Sequence, residues 1–235
     1  MKEFLCGIET ERLQRQNRRL FIYCAGGLGR EVLKLAQVIN SRKPQWDEII
    51  FLDDSLNATN INGAKVLSFE NYLSTAGKYQ DQFVIAAGEP KIKRSLAEKL
   101  LANSCQLINL IHPDFCSSSF HTIAKGAIIA EGNIFTDNIK VGFCAHLNLR
   151  CTVGHDVIIG NYATISPGVI ISGDVAIGEG TYIGTGAIIR DEVKIGKDCI
   201  IGMGSLVTKD IPDGVIAYGS PCKVIRKNET KIVFR

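Results

Sequence analysis

The chain has 235 residues, enough for one large or two small domains, and 46% of them are hydrophobic, so a sizeable core is available. Lys and Arg total 27 against 24 Asp and Glu, and the net charge of +3 is too mild to argue for a nucleic-acid partner. No apolar run reaches membrane length, the opening MKEFLCGIETERLQRQNRRL lacks the apolar stretch of a secretory signal, and eight scattered cysteines without a CxxC pair read as reduced thiols of a cytoplasmic protein.

Residues 1–19 are a charged lead-in with no readable element. From residue 20 the rhythm is that of alternating strands and helices. Leu20–Cys24 (LFIYC) is a short buried-strand pattern, followed by the glycine turn Ala25-Gly26-Gly27-Leu28-Gly29. Arg30–Asn40 then carries Val32, Leu35, Ala36 and Ile39 at helical spacing. Glu48–Leu52 is a second strand ending in Asp53-Asp54, and Ser68 is positioned to cap a helix running through Leu73. Gln82–Ala87 is a third strand, Lys91–Asn103 a helix, and Gln106–Ile111 a fourth strand stopped by His112-Pro113. This order predicts a small parallel sheet over residues 20–113. Glycines between a strand and a helix let backbone approach a phosphate, which the helix N-terminus attracts, and acidic residues after the second strand stand where ribose or base hydroxyls are read. A full GxGxxG is missing and the domain is short, which argues against NAD.

From residue 123 the rhythm changes. Every sixth residue is large and apolar: Ile123, Ile129, Phe135, Val141, Leu147, Val153, Ile159, Ile165, Ile171, Ile177, Ile183, Ile189, Ile195, Ile201 and Val207. A small residue or Gly usually follows each, and four positions on the side chain is usually small or β-branched, as at Ala127, Cys151, Ala163 and Cys199. A period of six fits neither a helix nor one long strand; it fits short strands joined by tight corners and stacked as a β-helix. One hexad cannot bury its Ile, whereas stacked hexads place Ile on Ile. Three hexads per triangular coil make five coils, a prism roughly 24 Å tall at strand spacing. The prism domain is expected over residues 114–212, closed by a cap over 213–235 that covers apolar side chains and strand edges.

Stacking also selects a candidate for chemistry. Residues eighteen apart lie in neighbouring coils, so Gly173 lies above His155 and Asp137 below it. A bare glycine over an imidazole leaves room for a ligand and bares an N–H. Acyl transfer from a thioester needs a base near the attacking group and a donor near the thioester oxygen; His155 suits the first, the N–H of Gly173 the second. Asp156, its neighbour in sequence, is the candidate to hold the imidazole tautomer, although adjacent residues need not touch.

The stretches IYCAGGLGREV (22–32), FLDD (51–54), LIHP (110–113), TVGHDVIIGNY (152–162), ISPG (165–168) and DIPDGVIAYGSPCKVI (210–225) resemble the hexapeptide-repeat sugar acetyltransferases. That family includes the sialic acid O-acetyltransferases and the bacillosamine and perosamine N-acetyltransferases. The resemblance implies a Rossmann-like N-terminal domain followed by a left-handed parallel β-helix, acetyl-CoA as co-substrate, no metal, and a homotrimer with active sites between neighbours. It implies His155 as base, Asp156 as its acid partner, Gly173 as an acetyl-CoA contact and Asn148 as a nearby substrate contact. Gly27 and Gly29 would approach phosphate, and Asp53 or Asp54 would read the base or ribose of a nucleotide-linked amino sugar. Lys223 in the closing GSPCKV would meet a coenzyme A phosphate. Leu28 stands where the family often has His, and Thr164 where it often has a second His; Thr164 keeps a hydroxyl for the thioester.

Two rivals remain beside direct acetyl transfer to an amino group. O-acetylation of a sialic-acid-like sugar uses the same chemistry, and a non-enzymatic nucleotide-sugar binder would keep the front domain alone. A γ-type carbonic anhydrase needs three convergent histidines, and His121, His146 and His155 fall in different phases of the hexad.

Overall fold

The computed structural model describes residues 18–77 and 79–234. The front domain is built on β1 (Arg18–Tyr23), α1 (Gly27–Arg42), β2 (Glu48–Leu52), β3 (Asn60–Ile61), β4 (Ala64–Leu67), α2 (Phe69–Leu73), β5 (Gln80–Ile85), α3 (Pro90–Ala102) and β6 (Gln106–Leu107). They form one six-stranded sheet in the order β3-β4-β2-β1-β5-β6, parallel except for the β3–β4 hairpin. Leu20, Phe21 and Ile22 are fully buried because β1 is central, with apolar side chains packed on both faces. Ser68 caps α2 as its sequence predicts, its hydroxyl accepting from the Asn71 N–H at 3.1 Å.

Two boundaries differ from the sequence reading. The charged lead-in was expected to reach residue 19, but Arg18 and Arg19 already belong to β1, where the Arg19 guanidinium pairs with Asp81 across to β5 at 2.8 Å. The rest of that lead-in, residues 1–17, lies outside the described residues. The strand expected over 106–111 is two strands in different sheets. β6 closes the front sheet, whereas β7 (Leu110–Ile111) pairs with the first coil of the prism, Leu110 N–H donating to the Ala127 carbonyl. The chain therefore passes between the two sheets within residues 108–109.

The prism holds fifteen two-residue strands recurring every six residues, from β8 (Thr122–Ile123) to β22 (Leu206–Val207). They stack in three parallel sheets, each strand pairing with the one eighteen residues on, as in Leu147↔Ile165↔Ile183↔Ile201. These four side chains are fully buried in one continuous column. Two devices hold the beat. A residue in the left-handed region turns the corner every six positions, from Gly126 to Gly204, and where it is not Gly it is often Asn or Asp (Asn138, Asp156, Asp174, Asp198), whose short polar side chains tolerate that region. The Gly that follows many inward apolar residues serves close coil approach: a Cβ on Gly154 would stand 2.6 Å from the Gly173 nitrogen. Cys151 and Cys199 are fully buried in the small-residue slot, as expected.

β23 (Val215–Tyr218) extends one sheet of the prism, and β24 (Lys223–Lys227) turns back antiparallel on it.

Candidate active site

His155 follows β13 (Thr152–Val153) and precedes β14 (Ile158–Ile159), so it stands at a corner where two faces of the prism meet. Its side chain is 60% exposed. Its Nδ1 lies 2.9 Å from Asp156 Oδ2 and 3.8 Å from Asp174 Oδ2. Asn138 Nδ2 donates to the other oxygen of Asp156 at 3.1 Å. Asn138, Asp156 and Asp174 are eighteen residues apart and all take the left-handed corner conformation. One column of corner residues thus both turns the chain and fixes the imidazole. The hydrogen bond to Asp156 is the main reason that the His155 pKa is raised, with the charges of Asp174, Asp156 and Asp191 adding to it. The same bond, and the one from Asn138, hold the Asp156 carboxyl below its ordinary value.

The imidazole lies over bare backbone. A Cβ built on Gly173 would meet His155 Nε2 and Cε1 at 2.6 Å, so no other residue fits there without moving the ring. Nδ1 faces carboxylate and Nε2 faces the glycine column. This is the division of labour a general base needs, one nitrogen anchored and one presented. The donor expected of Gly173 is not free, however. Its N–H already donates to Asp191 Oδ1 at 3.1 Å. Asp191 stands one coil further on in the same column, and counting eighteen once more would have found it.

Thr164 and Asn148 do not join His155 within the chain. Thr164 lies on β15 (Thr164–Ile165) in the third sheet, buried beneath α3, where its hydroxyl accepts from Lys93 Nζ at 2.8 Å. Asn148 follows the neighbouring strand of that sheet; its Oδ1 accepts from the Leu149 N–H and its carbonyl from Asn133. Both line a cleft with Leu28, Gly88 and His146, between the front domain and the prism. Lys223 is exposed on β24.

The glycine turn divides its labour. Gly26 and Gly27 are exposed at the start of α1, and a Cβ on either would meet nothing within 4 Å, so backbone is open to an anion there. Gly29, expected to approach phosphate, is instead a packing glycine. It is buried, and its Cβ would fall 2.1 Å from the Cys24 carbonyl oxygen. The two aspartates also part. Asp53 ties the turn down, accepting from the Ala25 N–H at 2.9 Å and from Ser55. Burial opposes its charge, but these hydrogen bonds prevail and its pKa is lowered. Asp54, expected as a sugar or base reader, accepts from Tyr23 Oη, Lys99 Nζ and the Phe69 N–H. Its oxygens are committed to holding α2 and α3 to β1.

His146 carries a signal the sequence pattern did not separate from packing. It is 2% exposed, its Nδ1 has no hydrogen-bond partner among the described residues, and burial together with nearby Lys93 pushes its pKa down to about 3. It stays neutral at any physiological pH.

A Rossmann-like front domain, a hexapeptide prism and an acid-anchored histidine over a bare glycine define an acyltransferase of the hexapeptide class. Residues 19–100 match the PglD N-terminal domain family, and residues 174–209 match the bacterial transferase hexapeptide family of six repeats. The chain is 34% identical to GDP-perosamine N-acetyltransferase of Escherichia coli O157:H7 over 148 residues, 63% of this chain and 66% of that protein. Its structure is similar to the acetyltransferase domain of PglB from Neisseria gonorrhoeae FA1090, solved with acetyl coenzyme A, at 31% identity and a TM-score of 0.71, covering 89% of this chain and 100% of that one. PerB from Caulobacter crescentus, solved with CoA and GDP-perosamine, is similar at 25% identity and a TM-score of 0.79, covering 88% of this chain and 96% of that one. The chain belongs to the family of hexapeptide-repeat sugar acetyltransferases with a PglD-type N-terminal domain.

Proposed function

We propose that this enzyme moves the acetyl group of acetyl-CoA to the amino group of a nucleotide-linked amino sugar, in the cytoplasm, for a bacterial surface glycan. The observation that carries the chemistry is the Asp156–His155 pair lying over Gly173 at an exposed corner. The amine lone pair attacks the thioester carbonyl carbon while His155 Nε2 takes the amine proton. Asp156 offsets the charge that forms on the imidazolium. The tetrahedral intermediate collapses, the C–S bond breaks, and the imidazolium returns the proton to the departing thiolate. The Gly173 N–H stabilises the developing oxyanion once it leaves Asp191. The amino acceptors named for the relatives favour nitrogen over the hydroxyl of a sialic-acid-type sugar.

The acceptor's nucleotide is held at the front domain, with diphosphate at Gly26 and Gly27 and ribose or base near Asp53. Lys223 is free to meet a coenzyme A phosphate. A homotrimer completes the site. Ile134, Ile170 and Ile188 point outward along a single face, 62%, 44% and 43% exposed, and β13 on that face leads directly into His155. Packing this face against a neighbour buries the apolar column and brings a second chain to the His155 corner.

The test is release of free coenzyme A from acetyl-CoA, using GDP-, UDP- and dTDP-linked 3- and 4-amino sugars and free sialic acid as acceptors. Turnover on an amino sugar, lowered by orders of magnitude in His155→Ala, is expected. Binding of nucleotide sugar without turnover would favour a non-enzymatic binder, and turnover on sialic acid alone an O-acetyltransferase.

A further inference from the structure

Beyond β24 the chain leaves the prism and crosses to the front domain. Asn228, 6% exposed, anchors the start by donating from Nδ2 to the Asp198 carbonyl at 2.8 Å. Lys231 pairs with the Asp198 carboxylate at 2.6 Å, and Lys91 at the start of α3 donates to the Thr230 carbonyl. Glu89, itself 6% exposed, then receives the segment: its Oε2 accepts from the N–H groups of Val233 and Phe234 at 2.7 and 3.2 Å. One oxygen of this buried carboxylate takes two N–H groups from a segment 144 and 145 residues on, which ties the segment to the front domain, while its Oε1 has no hydrogen-bond partner among the described residues.

The anchorage delivers one side chain. Phe234 packs edge-on to Tyr182, with ring centroids 5.4 Å apart, and would touch a Cβ on Gly88 at 3.4 Å, yet it remains 54% exposed. It borders the cleft that Leu28, Gly88, His146, Asn148 and Thr164 also line. Gly88 follows β5 and Leu28 opens α1, so the cleft lies off the carboxyl ends of two parallel strands, where open α/β sheets take their ligands. Leu28, which follows the Gly26-Gly27 turn proposed for the diphosphate, lines this cleft. His146, whose buried Nδ1 has no hydrogen-bond partner among the described residues, lines the same cleft.

We infer that the segment Asn228–Phe234 is a strap, and that Phe234 is a specificity-determining wall of the acceptor-sugar pocket, offering its aromatic face to the sugar ring. This rests on the acetyltransferase reading. The strap binds none of the reacting atoms; it adds an aromatic surface to a pocket that Leu28 and amide, hydroxyl and imidazole side chains also line, the mixture a deoxy or amino sugar matches.

Steady-state kinetics on the full chain test it, varying acceptor and acetyl-CoA separately, for wild type, Phe234→Ala, Phe234→Tyr, Glu89→Ala and the double Ala variant. Phe234→Ala should raise the acceptor KM by about three- to tenfold, the worth of one aromatic contact, and leave the acetyl-CoA KM unchanged. Phe234→Tyr should restore it, and the double variant should be no worse than Phe234→Ala, because Glu89 acts through Phe234. Should Glu89→Ala not fold, the Phe234 pair carries the test alone. An acceptor KM equal in wild type and Phe234→Ala overturns the strap while acetyl transfer stands. Equal rises in both KM values also overturn it. No turnover by wild type on any nucleotide amino sugar overturns the functional reading and the strap with it.

Discussion

In the prism each coil repeats the contacts of the coil below, whereas in the front domain every contact is made once. The buried column Leu147, Ile165, Ile183, Ile201 is one interaction copied three times. The front domain depends on singular pairings, such as Arg19 with Asp81 or Tyr23 and Lys99 with Asp54. The difference shows where function can be seen. In a periodic structure a site stands out as a column with unusual chemistry: Asp137, His155, Gly173, Asp191. In an aperiodic one an open, exposed glycine and a packing glycine look alike, as Gly27 and Gly29 do.

The contrast can be broken first at its chemical column. His155→Ala should lower kcat by about 10²- to 10⁴-fold, the usual worth of a positioned base, with no change in melting temperature because the side chain is exposed. Asp156→Asn should act through pH. As the proposed base His155 works only when neutral, and its raised pKa should place the acid limb of kcat/KM above ordinary imidazole. Removing the carboxylate should move that limb toward lower pH, read from a pH–rate profile.

Next comes repetition itself. Ile183→Ala removes a fully buried member of the column and should cost about 2–5 kcal/mol, measured from the denaturant midpoint. Ile170→Ala, on the outward face, should barely alter the unfolding of one chain. It should weaken assembly instead, visible as a concentration-dependent mass in sedimentation.

The two glycines sharpen the aperiodic side. Gly29→Ala should destabilise the protein by about 1–3 kcal/mol, because the new methyl meets the Cys24 carbonyl. Gly27→Ala, with open space around it, should leave stability unchanged and weaken nucleotide-sugar binding measured by calorimetry. Equal stability losses at both positions would erase the distinction.

The last effect lies at the seam and is read through pH. Lys93 is fully buried, and burial pushes its pKa from 10.5 down to about 7. The unfolded chain therefore binds more protons between those values, so stability should climb as pH rises through that window. Lys93→Met should flatten that rise in a series of thermal melts.

Much of this molecule was legible as one line of text. The beat from Ile123 to Val207 dictated stacked short strands, since a hexad buries its Ile only against a copy of itself. Arithmetic of eighteen then put Gly173 over His155, and the GHD sequence put a carboxylate beside it. Extending the count by one coil each way reaches Asn138, Asp174 and Asp191 with no structure at all. What periodicity could not supply is direction and prior commitment. The N–H of Gly173 is engaged by Asp191, Asp54 is consumed by three donors, and Thr164 belongs to Lys93. Nor could it show Glu89 receiving Val233 and Phe234 from the far end of the chain. Repeats are local and their rules travel along the chain, so sequence alone determined the prism and the corner proposed for catalysis. Hydrogen-bond partners far apart in sequence compete for the same atoms, and only tertiary packing decided which of them won.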